Sequence, residues 1–220
     1  MRLHIQIDRR VAAVARTLRV HYPRGLDLIG SGLGLAECRL ERTTFAEVFI
    51  ANPHRLGGCP QNAVIATGTV VGEVRLDPLT IGEVGTFTLM TGPFGDDGLE
   101  LVGLVEGINP FGALLAYQGE LREAGGRYGG TIEMRLPWIP ILPYDTADVA
   151  LLDIEATIGS TDIIYAREGV RGVVQRWRPE GPRLPTKCAS GGMPFEVEID
   201  FSDGSRTRAR AKARCPLPSR

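Results

Sequence analysis

Three histidines, four cysteines and a few acidic pairs are the residues here whose types could do chemistry. Nucleophilic catalysis needs a base within hydrogen-bond reach of an activated Ser, Cys or Thr. His4 and His21 fall in or beside N-terminal strand patterns, and His54 follows Pro53. None stands in a G-x-S-x-G or H-E-x-x-H frame, so no catalytic residue is assigned. Gly30-Ser31-Gly32-Leu33-Gly34 has the composition of a phosphate cradle, but no helix start follows to supply the dipole, and it reads as a turn. Asp96 and Asp97 are adjacent carboxylates in a Gly-rich stretch without calcium-loop spacing. They read as turn residues and stay candidates for a ligand surface. Trp177, between Arg176 and Arg178, is the candidate surface aromatic, burial under a sheet face being its competing use.

Cys38, Cys59, Cys188 and Cys215 are even in number and far apart, with no C-x-x-C. Zinc ligands usually come in close pairs because one turn presents both to the ion, so this spacing favours two disulfides over a metal site. Three pairings are possible, and the sequential one, Cys38–Cys59 with Cys188–Cys215, is the expectation. Each loop would contribute about 3 kcal/mol by restricting the unfolded chain. Disulfides imply an oxidising compartment, hence the exterior or the cell envelope. No metal or cofactor is expected.

The elements that must position these residues are short strands. The 28 Gly and 15 Pro in 220 residues carry no collagen period. Strand patterns run over 2–7, 11–20, 63–76, 86–91, 99–108, 113–121, 127–136, 149–158, 161–166 and 172–178, separated by turn-formers at 77–78, 92–98, 109–112 and 125–126. One short helix is predicted near 44–51, where Thr44 and Glu47 have capping-box spacing and Pro53 stops it. The segment 136–145, with Pro137, Pro140 and Pro143, reads as a packed extended crossover.

A formal charge of −1 supplies no general attraction to nucleic acid, and no apolar run approaches a bilayer span. The opening MRLHIQIDRRVAAVARTLRV is charged and lacks a signal-peptide pattern. Either synthesis in the cytosol or a start downstream of a leader is expected.

The segment FEVEIDFSDGSRTRARAKAR, 195–214, places Arg206, Arg208, Arg210, Lys212 and Arg214 at alternate positions. A two-residue turn would set every apolar residue of one strand against a charge of the other. A three-residue loop, Ser202-Asp203-Gly204, with Gly204 left-handed in a G1 bulge, restores the match. It pairs Asp200 with Arg206, Glu198 with Arg208 and Glu196 with Arg210. The cations then form a salt ladder, and Lys212 and Arg214 are left as a candidate partner surface.

The stretch LPTKCASGGMPFEVEIDFSDGSRTRARAKARCP resembles the C-terminal signature of uncharacterised exported proteins from high-GC Gram-positive bacteria, roughly L-P-x-x-C-x-x-G-G-x-P-F, strand, D-G-S, strand, C-P. YPRGLDLIGSGLGLAEC, CPQNAVIATGTVVGEV and LPWIPILPYDTADVALLDIEATIG resemble upstream segments of the same group. The resemblance implies export, two sequential disulfides and an all-β body; it carries over no catalytic residue.

Together these features predict a single all-β domain over 1–220, a two-sheet sandwich of immunoglobulin-like or jelly-roll-like kind, a split near 136–145 being the alternative. The expected role is a non-enzymatic secreted or wall-associated structural or recognition protein with a polysaccharide or protein partner. A carbohydrate-binding or carbohydrate-active domain using loop carboxylates is the alternative, and homo-oligomers built through strand edges come third.

Overall fold

The structure, a computed structural model, describes residues 1–11, 13–28, 32–39, 59–76, 79–110, 114–136, 148–159, 161–186 and 191–215. It is nearly all β, with a large curled antiparallel sheet and a second, small one. The strands are β1 (Arg2–Gln6), β2 (Ala15–Pro23), β3 (Val64–Leu76), β4 (Leu79–Gly95), β5 (Gly98–Asn109), β6 (Leu114–Glu123), β7 (Tyr128–Arg135), β8 (Asp148–Ile158), β9 (Tyr165–Glu168), β10 (Val174–Trp177), β11 (Met193–Phe201) and β12 (Arg206–Ala213). Single 3₁₀ turns lie at Gln61–Ala63 and Val170–Gly172. The periodicity located most of these strands, but β9 begins only at Tyr165, near the end of the expected 161–166, β2 begins at Ala15 instead of 11, and β4 extends far beyond 86–91. Its flanks carry Gly82, Gly85, Gly92 and Pro93, which weaken a propensity reading. Gly82 and Gly85 nonetheless pair with β3, and Gly92 and Pro93 fall in the irregularity between Thr91 and Phe94, beyond which pairing with β5 resumes. The helix predicted near 44–51 lies outside the described residues, as do 137–145 of the proline-rich segment.

Ten strands form one sheet in the order β1-β8-β3-β4-β5-β6-β7-β2-β11-β12; β10 and β9 form the other. Strands from both sides of 136–145 interleave in the large sheet, β8 lying between β1 and β3 and β11 beside β2. Its curl follows from connectivity. Seven strand spacings separate β1 from β2, about 34 Å in a flat sheet. The nine residue steps from Gln6 to Ala15 reach about 32 Å only when fully extended. That link is not extended: Val11 N donates to Asp8 O at 2.9 Å. Ile7 N stays on Leu152 O of β8 at 2.7 Å, while Val14 N reaches Ser202 Oγ, just past β11, at 3.1 Å. The two regions of the sheet must therefore approach, and its inner face closes on itself. Ile5, Leu18, Val70, Phe87, Leu101, Ile132, Met134, Ile154, Ile199 and Phe201 meet there in one core cluster. Gly119 of β6 gives Met134 its place, because a Cβ there would lie 2.4 Å from Met134 Sδ.

The outer face of β4, β5 and β6 carries a second, smaller core. Met90, Val102, Leu104 and Ala116 are covered by Ala36, Cys38, Cys59 and Ala63. The Cys38–Cys59 disulfide ties this cover together, and Cys38 N donates to Thr91 O at 2.7 Å. Thr91 is itself buried; its hydroxyl donates to Ala36 O at 2.8 Å. The small sheet docks through Tyr165, which is fully buried. Its hydroxyl donates to Val64 O at 2.7 Å and accepts from Gly34 N at 2.8 Å.

The C-terminal hairpin has the predicted register: Asp200 opposite Arg206, Glu198 opposite Arg208, Glu196 opposite Arg210. Gly204 adopts φ +82°, Phe201 N donates to Ser205 O at 2.9 Å, and the loop is the three-residue one that face-matching demanded.

Candidate functional site

Beside the disulfide-covered patch, the outer face opens into a groove of about 500 Å³. Its floor is built by alternation. Leu99 and Leu101 of β5 point into the inner core, so Glu100 between them points outward. Glu100 stands opposite Glu120 of β6, and Glu120 stands opposite Glu133 of β7. Three carboxylates thus lie side by side on three neighbouring strands, with Arg39, Pro93 and Arg135 at the margins. Like charges placed directly opposite cost roughly 0.2–1 kcal/mol per pair. Partial compensation comes from the flanks. Arg122 pairs with Glu120, and Arg19 and Arg135 pair with Glu133 at 2.7 and 3.8 Å. Glu100 has no ion pair among the described residues.

The same row continues past the groove as alternating charge: Glu133 opposite Arg19, Arg19 opposite Glu198, Glu198 opposite Arg208. Arg19 is only 23% exposed and holds a carboxylate on each side, Glu133 at 2.7 Å and Asp200 at 2.5 Å. One row along, His21 lies opposite both Thr131 and Glu196, and Glu196 opposite Arg210. His21 Nδ1 meets Thr131 Oγ1 at 2.7 Å; Tyr128 donates to Glu196 Oε2 at 3.2 Å; Arg127 lies over the Tyr128 ring at 4.8 Å. The Arg210 hydrogen bond, helped by Tyr128 and Arg127, holds the Glu196 carboxyl below its ordinary range. Arg206 and Arg19 do the same for Asp200. Loss of hydration, then the neighbouring Glu196, raises the Tyr128 phenol.

Among the described residues, His21, Glu196 and Glu198 are the group whose ligand-type atoms converge, all within 4.8 Å of one another. They are the residues able to hold a divalent ion. Arg210 and Arg208 already neutralise the two carboxylates, so this arrangement serves first as a polar lattice.

The residues singled out from sequence do not assemble into one site. Asp96 and Asp97 form the exposed turn between β4 and β5, next to a Phe94 that is 79% exposed, and do not line the groove. Trp177 is half-buried on β10, edge-on to Tyr165 with ring centres 5.9 Å apart, so its ring is in use at that contact. Lys212 and Arg214 are exposed and make no ion pair among the described residues. Of the cysteines, Cys38 lines the groove and Cys215 is disulfide-bonded; Cys188 lies outside the described residues.

Sequence reasoning missed Glu100, Glu120, Glu133, Arg19 and His21 as neighbours. One signal was available: each strand predicted at 99–108, 113–121 and 127–136 holds a Glu between core-facing residues. Strand order was still needed to bring them together. No protein-family model, curated protein or solved structure matches this chain.

Proposed function

We propose that the protein is an exported recognition module that takes a polar, hydroxyl- or ammonium-bearing chain, such as a segment of cell-wall polysaccharide, in the groove beside the Cys38–Cys59 bridge. The observation that carries this reading is the Glu100–Glu120–Glu133 floor. Three carboxylates stand side by side at an electrostatic cost in a depression of about 500 Å³. Glu120 and Glu133 already hold arginines, and Glu100, with no ion pair among the described residues, is the acceptor open to a donor. That volume is in the range of small-ligand sites. Sugar hydroxyls and amino groups supply the donors, and Pro93 supplies an apolar edge for the ring faces. The resemblance to exported proteins and the disulfide support placement outside the cytosol.

A carbohydrate-active enzyme is the second reading. It is favoured by the direct opposition of Glu100 to Glu120 and of Glu120 to Glu133, since paired carboxyls about 5–10 Å apart serve glycoside hydrolysis. One experiment tests both: co-sedimentation with purified cell-wall polysaccharides, wild type against Glu120→Gln, with reducing ends assayed in parallel. Retention that Glu120→Gln abolishes, without new reducing ends, supports the recognition module. Release of reducing ends moves the protein to the second reading, and retention by none of the polysaccharides overturns both.

A further inference from the structure

The charge lattice on the outer face alternates by strand and then stops. β7 contributes Glu133, β2 Arg19, β11 the three acids and β12 the arginines. Inside the lattice Arg19 has carboxylates on both sides, Glu133 and Asp200. Arg206, Arg208 and Arg210 have them on one side only, from β11. Among the described residues no strand lies beyond β12, and every residue of Arg206–Lys212 is exposed. The next strand in the alternation would be acidic.

The backbone agrees with the side chains. Phe201 N donates to Ser205 O, which makes that a hydrogen-bonded pair. In an antiparallel ladder such pairs alternate with pairs whose N–H and C=O groups point away from each other. Asp200–Arg206, Glu198–Arg208, Glu196–Arg210 and Pro194–Lys212 are therefore the outward-pointing pairs. Pro194, which has no N–H to give, sits at one of them. The open edge of β12 thus offers the backbone groups of Arg206, Arg208, Arg210 and Lys212, the same four residues that carry the basic row.

We infer that the β12 edge is a strand-addition site for a partner protein's extended segment of alternating acidic and apolar residues. Its acids would stand opposite Arg206, Arg208, Arg210 and Lys212. Its apolar residues would lie beside Ala209 and Ala211, extending the inner face over Phe195 and Val197, which are only partly covered. A second copy of this chain is a poor occupant. Two β12 edges would oppose arginine to arginine, and the other open edge of the large sheet, β1, turns Arg2, His4 and Gln6 to the face on which β8 places Asp153 and Glu155.

The test uses the whole chain and the peptide acetyl-TEVEVEVET-amide, with amide hydrogen exchange read by NMR. Saturable binding that protects the amides of Arg206, Arg208, Arg210 and Lys212, and not those between them, is expected. Affinity should fall at least tenfold between about 50 and about 500 mM NaCl. Arg208→Gln, which keeps the N–H, should weaken binding a few-fold. Arg208→Pro, which removes an N–H that β11 does not use, should weaken it at least tenfold. Should that variant misfold, a peptide N-methylated on its pairing edge replaces it and should not bind. A peptide of equal composition with its acids in one block should also fail. Equal binding of the block peptide, no protection at the four amides, or their protection at high protein concentration without peptide would each overturn the assignment.

Discussion

The outer face of the large sheet is finished in two different ways, and the contrast says what each half is for. Over part of β4–β6 it is apolar and covered: Met90, Val102 and Leu104 lie under Ala36, Cys38, Cys59 and Ala63, tied by the Cys38–Cys59 bridge and the Cys38–Thr91 hydrogen bond. Over β7, β2, β11 and β12 it is ionic, with Arg19 between two carboxylates and each acid of β11 on an arginine of β12. The first half needs a cover and has one covalently tied in place. The second needs only its neighbours and leaves its last row open. The groove with the three glutamates lies at the seam, where neither solution is complete.

Breaking the covalent cover should have the largest effect. Cys38→Ala with Cys59→Ala should lower stability by about 3 kcal/mol in urea unfolding, with little dependence on salt. On the ionic side, Arg19→Met should cost about 2 kcal/mol, and part of the loss should vanish in high salt. It removes the shared partner of Glu133 and Asp200 and leaves each with a single, more exposed arginine, Arg135 or Arg206. Equal salt sensitivity in the two variants would erase the distinction between the halves. Thr91→Val removes the buried donor to Ala36 O at the same volume and should cost about 1 kcal/mol.

Acid sharpens the contrast from the other direction. Glu196 and Asp200 have folded values held below the ordinary 4.5 and 3.8 by arginine. Their stabilisation is complete above those ordinary values and is lost as pH falls through the lower folded ones. Urea midpoints measured from about pH 6 to about pH 3 should therefore decline at the acid end, and less steeply in Arg19→Met. Smallest of all is Arg206→Gln at the exposed rim, which should leave the thermal midpoint almost unmoved.

What the sequence made legible follows the same division. The hairpin register was readable because its two strands are adjacent in the chain. Period-two patterning leaves one arrangement that keeps Ile199 beside Thr207 and Glu198 beside Arg208. The cysteine spacing favoured disulfides but left three pairings open; Cys38–Cys59 is one bridge of the expected sequential pairing. The lattice beyond the hairpin was invisible because β2 sits between β7 and β11, more than a hundred residues later in sequence, and nothing local announces that neighbour. The groove was hidden for the same reason. Asp96 and Asp97 drew attention as adjacent acids, while the acids that share a surface come from three strands.

The pairing of β1 with β8, Arg2 opposite Thr157, has a temporal consequence. On the ribosome β1 has no partner strand until β8, Asp148–Ile158, has emerged, and β2 must wait for β7 and β11. The nascent chain cannot complete its architecture piecemeal from the amino end. The run from β3 to β7 can pair strand by strand as it emerges, but closure waits for β8 and β11, a slow step set by the wide separation of those partnered segments.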